Sequence, residues 1–265
     1  MRFFLNISYR GAAYHGWQIQ PHDNSVQQTV EQALATLLRQ PTPIVGAGRT
    51  DAGVNARMTV AHFDSGTDLC ADPQTKHRFL RSLNAICRPD IVVNDIVAVA
   101  DDAHARFDAT QRTYRYFVHT ADDPFVSDLS WRTPPGLDFQ AMNQAARHIL
   151  GRQDFTSFSK LHTDVKTNIC TVADAGWHPM PDPDGTLPGD SSGPRRWYFE
   201  ITADRFLRNM VRAVVGTLVT VGRHQATPDD VRRIIDSRNR CAAGTSMPAH
   251  PLFLWNVKYP YYNSK

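Results

Sequence analysis

The run Ile44-Val45-Gly46-Ala47-Gly48-Arg49-Thr50-Asp51-Ala52-Gly53-Val54-Asn55-Ala56-Arg57-Met58-Thr59-Val60-Ala61-His62-Phe63 organises the first half of the chain. Ile44-Val45 leads into a glycine-bounded loop, and the imperfect alternation of Met58 to Phe63 predicts a half-buried strand. The loop is therefore expected between two strands. Glycines at 48 and 53 allow a sharp turn that brings Asp51 close to whatever approaches. Asp and Gly also dominate ordinary turns, so the residue types alone leave a structural and a chemical reading of Asp51 open.

On the amino-terminal side, the aromatic and branched residues of 2–9 predict a strand, followed by a turn-rich loop over 11–24. Ser25-Val26-Gln27-Gln28 has the pattern of a capping box. Val26, Val30, Ala33, Leu34, Leu37 and Leu38 recur at helical spacing until Pro41 and Pro43. On the carboxy-terminal side, a helix is expected from about Pro73 to Ala85, then one or two strands in Ile91-Val92-Val93 and Ile96-Val97-Ala98-Val99. The order is β-α-β-β-α-β.

A second mixed segment follows. Thr113 to Val118 reads as a strand, and Phe139 to Leu150 as a helix closed by Gly151. Residues 171–177 and 196–202 read as strands joined by a long exposed loop over 179–194. Phe206, Leu207, Met210, Val211, Val214, Val215, Leu218 and Val219 form an apolar stripe that predicts a core helix ending near Gly222. Thr227-Pro228 starts another helix, and Leu252 to Trp255 is a last strand. The expected class is α/β (α+β), with domains at 1–105 and 106–265.

A chain of 265 residues, 42% hydrophobic and 21% charged, can bury a substantial core. No stretch of about 18 apolar residues suggests a membrane span, and the amino terminus turns polar too early for a signal peptide. The four cysteines are scattered without metal-site spacing, which predicts a reducing, cytoplasmic setting and no structural metal. Between Arg195 and Arg240 ten arginines face five acids, a basic region suited to a polyanion or to a solvated helical surface.

Two contexts bear on Asp51. In Arg112-Thr113-Tyr114-Arg115-Tyr116, strand alternation sets the two tyrosines on one face and Thr113 and Arg115 on the other, an aromatic platform beside cations that could stack a base. Arg205, Arg208 and Arg212 follow helical spacing along the apolar stripe. Arg212, between Val211 and Ala213, is expected to be partly buried and to need an anionic partner such as Asp51 or a phosphate.

Seven segments in order resemble the TruA family of tRNA pseudouridine synthases: Tyr14-His15-Gly16-Trp17-Gln18, Gly48 to Val54, His104-Ala105-Arg106-Phe107, Arg112 to Tyr116, Asp154 to Phe158, Phe206-Leu207 and Met210-Val211-Arg212. The resemblance implies the pseudouridine synthase fold, two mixed α/β domains with central antiparallel or mixed sheets flanking a basic cleft. It implies isomerisation of uridines 38, 39 and 40 in the tRNA anticodon stem-loop by a homodimer without metal or organic cofactor. It casts Asp51 as the catalytic carboxylate, Tyr114 as the contact to the target base and Arg212 as the partner of Asp51. Arg49, Arg106 and Arg208 are expected to hold the RNA backbone. Asn55 stands where the family usually has histidine, and Pro251 and Phe253 replace the glycine and tyrosine of its usual Gly-Leu-Tyr-Leu.

Two other classes fit part of the pattern. A glycoside hydrolase also attacks an anomeric carbon through a carboxylate, but it normally needs a second one, and Asp64 and Asp68 read as a strand end and a turn. A non-catalytic RNA-binding module would need the same cations and aromatic rings. It would gain nothing from an acid facing phosphates.

Overall fold

A computed structural model describes residues 1–134, 136–160, 167–180 and 195–262. They fall into two compact units, Met1–Gln111 with Phe253–Lys265, and Arg112–Leu252. Ten strands and five α-helices are found among the described residues.

In the first unit, β1 (Arg2–Tyr9) lies between β4 (Ile91–Val99) and β3 (Asn55–Asp64), antiparallel to both. The other edge of β3 takes the two-residue β2 (Val45–Gly46) at Ala61 and His62, and β10 (Leu252–Lys258) in parallel at Asn55 and Ala56. This central position makes β3 almost wholly buried rather than half-buried, because both edges and both faces are covered. The segment 91–99 is one strand. It carries a bulge opposite Asn6 and Ile7, which accounts for the break in its apolar pattern at Asn94-Asp95.

Helix α1 (Val26–Leu38) begins at Ser25, whose hydroxyl accepts the Gln28 N–H, and ends where Arg39 turns left-handed ahead of Pro41. Helix α2 (Pro73–Ile86) begins at Asp72, whose carboxylate accepts the N–H groups of Gln74 and Thr75. The strands and helices realise the expected β-α-β-β-α-β order around Phe3, Phe4, Leu5, Ile7, Val60 and Phe63, all essentially without solvent contact.

In the second unit, β5 (Gln111–His119), β9 (Arg196–Ala203), β8 (Ile169–Met180) and β7 (Gly151–Asp154) form an antiparallel sheet in that order, with the short β6 (Trp131–Arg132) parallel to β5. The helix at 139 is shorter than expected. α3 (Phe139–Ala146) tightens into a 3-10 turn over Arg147–Ile149, and Gly151, with φ of 89°, opens β7. Of the loop expected over 179–194, Pro179 and Met180 belong to β8, and residues 181–194 lie outside the described residues.

Helix α4 (Met210–Gly222) is buried nearly all round, as its apolar composition requires, and packs with α3 and α5 (Pro228–Ser237). A reciprocal box between Thr227 and Asp230 caps α5. α4 starts at Met210, not at Phe206, because Asn209 takes a left-handed conformation (φ of 66°) that interrupts the spiral. Arg205 and Arg208 therefore precede the helix. The expected stripe of three arginines along it does not exist.

Candidate active site

The aspartate loop, residues 47–54, joins β2 to β3 and is held from outside by the segment 9–17. The Trp17 N–H donates to the Thr50 carbonyl at 3.3 Å, and the Gly53 N–H donates to the Tyr14 carbonyl at 3.3 Å. The Tyr9 and Thr50 hydroxyls are 2.8 Å apart, and the Tyr14 hydroxyl donates to Asp90 at 2.7 Å. Burial and that carboxylate push the Tyr14 phenol well above its ordinary range, so it remains a donor. Within the loop, the Val54 N–H returns to the Asp51 carbonyl at 3.2 Å, with Gly53 at φ of 76°. Asp51 thus sits in a turn, half-buried, and the turn is one whose shape the segment 9–17 fixes.

Glycine is required where these segments meet. Gly16 has φ of 98°, and a Cβ there would lie 2.4 Å from the Thr50 carbonyl oxygen. A Cβ on Gly46 would lie 2.5 Å from the indole of Trp17, which is 2% exposed. Asn55, unassigned by sequence, is buried at the start of β3 and accepts the Gly11 N–H through its side-chain oxygen at 2.8 Å. Asn55 thereby anchors the segment that braces the loop.

Arg49 and Arg106 are both exposed and line one open pocket with Trp17, Gln27, Gly46 and Gly48. Arg106 is carried by a short turn that the rest of the unit fixes firmly. The His104 Nδ1 accepts the N–H groups of Arg106 and Phe107, and the Ala105 N–H donates to His62 Nδ1 at 3.1 Å. Burial first, and then Arg2 and His104, lower the His62 imidazole to about 4, so it stays a neutral acceptor. Asp64, the strand-end carboxylate of the hydrolase reading, is held by Arg2 at 2.9 Å, and Asp68 accepts the Cys70 N–H in a turn.

In the second unit, Tyr114 is half-buried on β5, its ring edge-on to Phe206 at 4.9 Å between centroids. Alternation holds as expected, with a correction to the platform. Arg115 turns to the opposite face, where it pairs with Glu200 at 2.5 Å and lies over the Tyr198 ring, and Tyr116 is wholly buried. Tyr114 is the one tyrosine of the pair with solvent contact. The Tyr116 hydroxyl has no hydrogen-bond partner among the described residues, and burial holds its phenol in the protonated form despite the nearby Arg212.

Arg212 is half-buried on the first turn of α4, between the buried Val211 and Ala213. Its Nε donates to the Met247 carbonyl at 2.6 Å, and the Met247 N–H donates to the Arg212 carbonyl at 3.1 Å. The segment that supplies these contacts lies against α4 at two glycines: a Cβ on Gly216 would be 1.8 Å from the Thr245 carbonyl oxygen. A lone glycine within an apolar helix signals such an approach, so this support was legible in principle. Arg208 is exposed, in the turn before α4.

All four cysteines are free, and among the described residues no group of three or more acidic, histidine or cysteine side chains could hold a metal. No described helix is long and apolar enough to cross a membrane.

Residues 145–260 match the family model described as tRNA pseudouridine synthase, a class with which the mixed α/β fold agrees. At full length the chain is 52% identical to tRNA pseudouridine synthase A of Parabacteroides distasonis, over 98% of this chain and 96% of the relative. It is 49% identical to that of Bacteroides fragilis (98% and 96%) and 36% identical to that of Bacillus subtilis (98% and 99%). The chain belongs to the tRNA pseudouridine synthase A family, an isomerase family that converts uridine in tRNA to pseudouridine.

Proposed function

We propose that this chain isomerises uridine to pseudouridine at positions 38, 39 and 40 of the tRNA anticodon stem-loop. Asp51 is the reacting carboxylate, Tyr114 stacks on the target base and Arg212 pairs with Asp51. The observation that carries the reading is the braced turn at Asp51, in a chain about half identical to synthases of this name. The reaction breaks the N1–C1′ bond, rotates the uracil, joins C5 to C1′, releases the C5 hydrogen as a proton and returns a proton to N1. It is redox-neutral. Asp51 either attacks C1′ or removes a ribose proton so that the base departs and a glycal forms.

A target uridine in or near a stem must leave its stack, at a cost of a few kcal/mol, which stacking on Tyr114 and phosphate contacts to Arg49, Arg106 and Arg208 would offset. The exposure of those three arginines supports that assignment. A guanidinium at position 212 would balance the charge of Asp51 once water is excluded and hold its oxygens for in-line approach. The working form is taken to be a cytoplasmic homodimer.

The test is release of tritium from tRNA whose uridines are labelled at C5, because that hydrogen leaves only when C5 becomes the glycosidic carbon. The wild type is expected to release it, whereas Asp51→Ala should bind the same tRNA without release. A wild type that releases none from any tRNA would refute the enzyme reading, and an Asp51→Ala variant with full turnover would leave a different residue in charge of the chemistry.

A further inference from the structure

One large aromatic ring in the first unit is held in solvent by a turn with no freedom to bury it. Phe107 is 75% exposed. Its backbone is fixed on every side: its N–H donates to His104 Nδ1, the His104 N–H donates to the Asp108 carboxylate at 2.7 Å, and the Asp108 N–H returns to the His104 carbonyl at 3.0 Å. Two carboxy-terminal tyrosines clamp the same turn, Tyr261 through Asp108 and Tyr259 through the Ala105 carbonyl. A turn so constrained could as readily carry a polar residue at its tip, since nothing in the unit's core gains from the ring.

The surroundings indicate what the ring meets. The His104 ring flanks it at 4.2 Å, tilted by 32°, and the Arg106 guanidinium lies 5.9 Å from its centroid. Arg106 also lines the pocket that holds Arg49, and among the described residues no carboxylate lines it. A flat π-surface beside one guanidinium, with a second lining the same pocket as the first, matches a nucleobase with its phosphates. The more exposed Phe125 makes the contrast, because Asp122, Asp123 and Asp128 surround it in sequence and the first two already occupy Arg132 and Arg196.

We propose that Phe107 is an RNA-binding residue whose exposed ring stacks on an unpaired nucleobase of the substrate, other than the uridine being isomerised, while the adjoining phosphates go to Arg106 and Arg49. The inference rests on the reading of the chain as a tRNA-modifying enzyme and adds a second aromatic contact to that of Tyr114. Stacking is tolerant of sequence because every base has a π-face, so the contact secures position and not base identity.

The test compares Phe107→Ala and Phe107→Trp with the wild type, using an anticodon stem-loop RNA. Phe107→Ala should fold normally, as the ring is three-quarters exposed and rests against His104 and Arg106 of its own turn. It should bind this RNA on the order of tenfold more weakly, raising KM with kcat little changed. Phe107→Trp should restore affinity, with its added indole fluorescence quenched by the RNA. Unchanged affinity and KM in Phe107→Ala would overturn the proposal. So would unchanged affinity with an altered sedimentation coefficient, which would assign the ring to contact between copies of this chain. Quenching reads the stack without turnover, so RNA-induced quenching in Phe107→Trp beside a wild type that releases no tritium would sink the enzymatic reading alone. A wild type that turns over while Phe107→Ala matches it would sink this inference alone. Absence of RNA binding by the wild type would overturn both.

Discussion

Asn55 and Phe253 are partners in the parallel ladder between β3 and β10. Both positions depart from the pattern the family resemblance led us to expect, and the register makes them neighbours on adjacent strands. The Asn55 side chain is also the acceptor for the Gly11 N–H. Replacing it with alanine should leave that buried N–H unpaired and destabilise the protein by about 1 to 3 kcal/mol, whereas Asn55→Asp, which keeps an acceptor, should lose less. Denaturant unfolding of the two variants measures the difference, and equal losses would argue that the hydrogen bond is not the reason.

Gly46→Ala should damage the aspartate loop from a distance. The new methyl would lie 2.5 Å from the Trp17 indole, a rigid buried ring whose backbone N–H holds Thr50. Displacing the ring should cost about 1 to 3 kcal/mol and lower turnover along with it. A variant with wild-type melting temperature and activity would show that the ring shifts freely.

Gly216→Ala offers a parallel test in the second unit. Alanine ordinarily gains up to about 1 kcal/mol over glycine within a helix, but here its methyl would meet the Thr245 carbonyl at 1.8 Å. The clash should win, with a net loss of about 2 kcal/mol or more. Because the displaced segment supplies the Met247 carbonyl to Arg212, kcat should fall too. Thermal unfolding and single-turnover kinetics read the two effects separately.

Stability should decline on the acid side through His62. Its folded value is held at about 4 by burial and by Arg2 and His104, with Asp64 and Asp108 opposing. The unfolded imidazole takes up its proton near pH 6.5, so between about 6.5 and 4 the unfolded state binds more protons and folding weakens as pH falls. Below about 4 this contribution is flat. The difference in melting temperature between pH 7.5 and 4.5 should shrink in His62→Gln, which keeps an acceptor and cannot titrate; an unchanged difference would assign the acid sensitivity elsewhere.

Arg212→Ala should lose turnover by 100-fold or more, on the order of the loss when a charge-stabilising group is removed, while keeping most of its tRNA affinity. Filter binding alongside tritium release checks this. Matched losses in both would identify Arg212 as a phosphate contact instead of the partner of Asp51.

Local chemistry made much of the first unit legible. Ser25 and Asp72 cap their helices because short side-chain oxygens can meet free N–H groups, and the two apolar periods separate strands from helices without reference to the rest of the chain. The site motif was equally visible, since Gly48 to Gly53 is a contiguous string. Where α4 starts was not legible, because Phe206 and Leu207 continue the helical spacing and only the left-handed Asn209, tied to Ser246, interrupts it. Nor was the partner of Arg115, which alternation set on the face opposite the tyrosines and which pairs there with Glu200, 85 residues away.

The sequence by itself thus determined most of the longer elements, which carboxylate is the candidate for chemistry and which family the chain resembles, because capping, periodicity and a contiguous motif are properties of near neighbours. Only the tertiary structure decided what braces Asp51, what holds Arg212 and what Asn55 anchors. Those answers depend on Tyr14, Trp17, Gly11 and Met247, residues brought close by burial of apolar surface and by the need of every buried N–H for an acceptor, with no short-range pattern announcing them.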